Sequence, residues 1–89
     1  MLIMKTILFV DDELNVLLAL RRMLRSMRHE WEMEFATSGK EALEMLAKSH
    51  VDVIVTDMRM PNISGVELLN EVKKQYPHII RIILSGQAD

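Results

Sequence analysis

The stretch "VDVIVTDMRMPNISG", residues 51–65, decides how this chain folds. Its first half is an almost unbroken apolar, β-branched run that ends on Asp57, the pattern of a strand buried on both faces. The second half turns on proline, asparagine and glycine. Ser64 and Glu67 then stand three residues apart, the spacing of a capping box. They open a helix through Val66, Leu69, Val72 and Tyr76 that Pro77 ends. A buried strand, a tight turn with an acid at its mouth and a capped helix are the parts of a βαβ unit, so a parallel sheet is expected.

The same unit recurs on either side. Before it, "TILFV", residues 6–10, is apolar at consecutive positions and closes on Asp11 and Asp12. Leu17, Leu20, Leu24 and Met27 follow at helical spacing, while Arg21, Arg22, Arg25 and Arg28 fall on other faces, which predicts an amphipathic helix to about Arg28. "WEMEF", residues 31–35, alternates with period two, a second strand. Ser38 and Glu41 form another capping box ahead of Ala42, Leu43 and Leu46. "HIIRIIL", residues 78–84, is a fourth strand that reaches Ser85. The order β-α-β-α-β-α-β with short connections predicts right-handed crossovers and a parallel sheet covered by helices.

Composition bounds the function. Eighty-nine residues make one domain, and 49% hydrophobic with 27% charged residues is the balance of a globular chain rather than a disordered one. The absence of cysteine excludes disulfides and thiolate metal sites and accords with a cytoplasmic location. A net charge of −2 argues against nucleic acid as the main partner, and the four arginines of the first helix read as a solvated face. The opening "MLIMKTILFV" is too short to span a bilayer and lacks the marks of a signal peptide, so no membrane association is expected. His29, His50 and His78 show no ligand spacing.

Open parallel sheets bind ligands outside the carboxyl ends of their strands. There the chain delivers Asp11 and Asp12 from the first strand, Asp57 from the third and Ser85 from the fourth. Asp11 and Asp12 alone would read as caps of the first helix, Asp57 alone as a turn aspartate, and Ser85 alone as a loop serine. Converging on one rim, three carboxylates repel one another, should raise at least one pKa, and call for a cation. Hard oxygen donors suit Mg²⁺ better than Zn²⁺. With that charge offset, one carboxylate can attack phosphorus, and a hydroxyl such as that of Ser85 can donate to a phosphoryl oxygen.

"ILFVDDE", "VIVTDMRMPNISG" and "IILSG", in this order on successive strands and with Gly65 eight residues after Asp57, resemble the receiver domain of two-component response regulators. The resemblance covers the chain from about Lys5 to its last residue. It implies a three-layer, flavodoxin-like α/β fold and a cytoplasmic phosphorylation switch rather than an enzyme with a separate substrate. Asp57 matches the phosphoacceptor, which takes its phosphoryl group from a sensor histidine kinase or a phosphotransfer protein. Asp11 and Asp12 match the acidic pair that binds Mg²⁺, and the backbone carbonyl of Arg59 the remaining protein ligand. Ser85 matches the hydroxyl residue of the conformational switch, and Arg59 and Gln87 the variable positions that tune phosphoryl lifetime.

The family has a fifth strand, later helices and an active-site lysine after that strand. None of these has a counterpart in the 89 residues, and Lys5, Lys40, Lys48, Lys73 and Lys74 all stand elsewhere. The expectation is therefore a receiver spanning residues 1–89, truncated after its fourth strand, with an exposed strand edge and self-association, by domain swapping or as a homodimer. Two other readings stay open: a small Mg²⁺-dependent phosphohydrolase with an aspartyl-phosphate intermediate, and a phosphorylation-independent interaction module. The output is expected to be either an HD-type cyclic-dinucleotide phosphodiesterase or a DNA-binding domain.

Overall fold

The computed structural model describes residues 4–84. Strand β1 (Lys5–Val10) is followed by helix α1 (Leu14–Met23), a single 3-10 turn (Arg25–Met27) and strand β2 (Trp31–Ala36). Helix α2 (Gly39–Lys48), strand β3 (Val53–Asp57), helix α3 (Gly65–Gln75) and strand β4 (Ile80–Leu84) complete the order. All pairings are parallel, in the spatial order β2-β1-β3-β4. This is the expected α/β architecture, with β1 and β3 central and β2 and β4 at the edges of the described sheet.

Alternation along the central strands sends side chains to two separate cores. Leu8, Val10 and Ile54 face α2 and α3, where Ala42, Leu46, Leu68 and Val72 bury against them. Ile7 and Phe9 face the other way, toward Leu17 of α1, with Phe9 stacked on Phe35 at 5.6 Å between ring centroids. Apolar burial on both faces of β1 is why its sequence reads as a continuous hydrophobic run. On the α1 side, Ile80, Ile82 and Leu84 stay 60, 41 and 46% exposed.

Three local expectations change. Helix α1 ends at Met23 rather than near Arg28: Leu24 leaves the helical region, and Met27 N–H donates to the Leu24 carbonyl at 2.9 Å. A tightened last turn satisfies carbonyls that a helix end would leave free and turns the chain toward β2. In α3 the buried positions are Gly65, Leu68 and Val72, whereas Val66 is 50% exposed, because a three-turn helix anchored through Gly65 turns that residue outward. The Ser64/Glu67 capping box forms in both directions, but at α2 only half of it does. There Ser38 Oγ accepts from Glu41 N–H, and the Glu41 carboxylate instead takes the backbone N–H and hydroxyl of Thr37.

Candidate functional site

At the carboxyl end of the sheet, Asp11 and Asp12 leave β1 while Asp57 closes the adjacent β3. One carboxylate oxygen from each lies within 4.8 Å of the others. Asp11 is held by its backbone, whose N–H extends the β1–β2 ladder to the Ala36 carbonyl at 3.1 Å. Its side chain turns back to accept from Glu13 N–H at 2.9 Å. Glu13 is the N-cap of α1 and makes no side-chain cap bond, so neither Asp11 nor Asp12 serves as the helix cap. Among the described residues, no donor hydrogen-bonds to the carboxylates of Asp12 or Asp57.

Asp57 is fixed from behind. Thr56, fully buried, donates its hydroxyl to the Asp57 carbonyl at 3.0 Å. Gly65 N–H donates to the Met58 carbonyl at 2.9 Å, so the start of α3 sits directly against the turn. A Cβ on Gly65 would stand 2.1 Å from the Asp57 carbonyl oxygen, a separation no side chain tolerates. Thr56 is a positioning contact that periodicity did not single out. The signal was a hydroxyl inside an otherwise apolar run, which is accommodated in a core only when hydrogen-bonded.

The electrostatics follow from the crowding. Burial pushes the Asp11 carboxyl above its ordinary range, and the charges of Asp57, Asp12 and Glu13 push it the same way, against the opposing hydrogen bond from Glu13 N–H. Partial burial is the largest single cause. Three carboxylate oxygens clustered on an open rim could serve as donors to a hard divalent cation. Arg59, exposed, lies two residues beyond β3 on the same turn. Ser85 and Gln87 lie outside the described residues.

A family model for the response regulator receiver domain matches residues 7–89. The chain belongs to the response regulator receiver family. Its receiver fold superposes on the signal receiver domain of an HD domain-containing protein from Pseudomonas fluorescens with a TM-score of 0.90 and 31% identity, covering 98% of this chain and 68% of that one. The response regulator protein TrrA from Thermotoga maritima, crystallised in complex with Mg²⁺-BeF, gives 0.85 and 34% over 96% of this chain and 72% of that one. In sequence, the receiver is 43% identical over 84 residues to the hydrogenase transcriptional regulatory protein HoxA of Cupriavidus necator, covering 94% of this chain. It spans only 17% of HoxA's length. No helix among the described residues is long and apolar enough to cross a membrane.

Proposed function

We propose that this receiver accepts a phosphoryl group on Asp57 from the phosphohistidine of a sensor kinase or phosphotransfer protein. The observation that carries the reading is the meeting of three carboxylates from two neighbouring strands within 4.8 Å, on the rim where parallel sheets bind ligands. A carboxylate oxygen of Asp57 forms the bond to phosphorus as the bond from phosphorus to the donor nitrogen breaks, the nitrogen keeping the electron pair. Asp11 and Asp12, with Asp57 and the Arg59 carbonyl, would hold Mg²⁺, and the donor chemistry fits that ion. When bound, the ion supplies the positive charge that offsets repulsion between carboxylate and phosphoryl oxygens. Thr56 and Gly65 hold the Asp57 backbone, and the Ser85 hydroxyl is assigned the donor role toward the phosphoryl group.

Membership of the receiver family does not favour the phosphohydrolase alternative. "DMRMP" also brings no acid or base next to Asp57, since neither Met58 nor Arg59 carries protons near neutral pH. The phosphorylated surface would act on an output domain or partner, and the relatives support two kinds: HoxA is named a transcriptional regulatory protein, and the Pseudomonas fluorescens protein is HD domain-containing. A kinase-fed switch of this type works in the cytoplasm.

The deciding experiment is the intact mass of the chain after incubation with acetyl phosphate and Mg²⁺, beside Asp57→Asn. One phosphoryl adduct on the first and none on the second is the expected result. An adduct of equal yield on both overturns Asp57 as the nucleophile, and none on a folded, Mg²⁺-binding chain overturns phosphoryl uptake by these residues.

A further inference from the structure

Away from the carboxylates, α1 and the 3-10 turn lean over the outer edge of the sheet and leave a groove of about 600 Å³ against β2. Its floor is apolar and aromatic, with Trp31, Met33 and Phe35 half-buried along one side of β2 and Leu18 beside them. Its wall is cationic. Arg21, Arg22, Arg25 and Arg28 all line it, and each is exposed.

The charge is segregated as well as dense. Residues 14–29 contain those four arginines and no acid, in a chain whose net charge is −2. Among the described residues the one ion pair is His50 with Asp52, and none of the four guanidiniums hydrogen-bonds to a described partner. Four neighbouring like charges, with Glu32 as the single acid in the groove lining, repel one another, and binding an anion relieves that repulsion. β2 is an edge strand, so one row of its backbone groups faces outward beside the groove. From Trp31 to Phe35 it offers about 13 Å of length, enough for several residues of a polypeptide.

We infer that this groove docks an acidic segment of a partner protein that carries a large apolar anchor residue. Carboxylates of the segment would meet the arginines, and the anchor would cover Trp31 and Phe35. The observations favour a polypeptide over a nucleic acid strand. Leu18, Met4 and Met33 line the groove with aliphatic surface that suits side chains better than bases. The groove belongs to the α1–β2 edge, whereas the carboxylates come from β1 and β3, so it can be occupied independently of Asp57.

Trp31 is the only tryptophan, so its fluorescence reports the groove directly. The probe is a short Glu- and Asp-rich peptide with a central Leu and Phe, titrated into the 89-residue chain and followed in parallel by calorimetry. A saturable change in Trp31 emission is expected, with affinity falling about tenfold in Arg25→Ala/Arg28→Ala, a variant of two exposed residues whose folding circular dichroism checks. A peptide with Leu and Phe replaced by Ser that binds equally well overturns the anchor and reduces the groove to bare charge. Tighter binding of a single-stranded oligonucleotide overturns the polypeptide assignment. No heat and no emission change with the acidic peptide overturns docking altogether.

Discussion

Asp11 and Asp52 are the same residue type at opposite ends of one sheet, and their surroundings drive them in opposite directions. Asp52 sits at the amino end, just before β3, where its carboxylate accepts from Thr6 N–H at 2.8 Å and meets His50 Nε2 at 2.9 Å. The hydrogen bond from Thr6 pulls its pKa below the ordinary carboxylate range, with His50 and Lys5 adding to the effect. Asp52 also takes part through its backbone, donating to the Thr6 carbonyl and accepting from Ile80 N–H. It ties β1, β3 and β4 together, and its charge is a source of stability. Asp11 is penalised by burial and by like charges. Asp52 finds its partners across the sheet and serves the fold, whereas Asp11 keeps only the local Glu13 N–H bond against burial and three like charges.

The largest test of this contrast concerns what holds the carboxylates in place. Gly65→Ala forces a methyl group into the Asp57 carbonyl, and a destabilisation of about 3 kcal/mol or more is expected in urea denaturation. An unchanged midpoint would show that α3 can withdraw from β3 freely, and the rim would lose its claim to rigidity. Next is the response to Mg²⁺. At a hundredfold excess over its dissociation constant the ion should add about 2.7 kcal/mol of stability, an increment that Asp52→Asn keeps and Asp12→Asn loses. If the two variants respond alike, the ends of the sheet do not differ in function.

Removing the charges one at a time should give opposite signs. Asp52→Ala strips acceptors from Thr6 N–H and His50 and should cost about 2 kcal/mol near neutral pH. The folded-state pKa of Asp52 lies below its unfolded value, so its contribution is present above the usual carboxylate pKa and lost as pH falls through the folded value. Asp11 runs the other way. Its folded pKa is raised, so below the unfolded value it carries no penalty, and the penalty grows as pH rises through the folded value and is complete above it. Metal-free Asp11→Asn should therefore melt higher than wild type at neutral pH, by at most about 4 °C, and the gain should vanish in acid. A variant that melts lower at neutral pH would mean that the Glu13 N–H bond matters more than the crowding.

The alternation of elements was legible because each strand and helix announces itself within a few residues. Consecutive β-branched residues mark β1 and β3, and Ser64 with Glu67 marks the start of α3. Asp11, Asp12 and Asp57 were legible too, since a parallel sheet brings the ends of its strands to one rim. The end of α1 was harder to read. Met27 and Arg28 continue the helical period, yet Leu24 leaves the helical region and the helix stops at Met23. The role of Asp52 was invisible for a similar reason, because its partner Thr6 is 46 residues away.

By itself, then, the sequence determined which segments are strands and helices and which acids stand at strand ends, because those properties depend on neighbours within one turn or one strand. Tertiary structure alone decided which carboxylate would be stabilised and which strained, that a glycine would be pressed against the Asp57 carbonyl, and that four arginines would wall a groove floored by Trp31. Those outcomes depend on distances between residues far apart in the chain, and packing sets them.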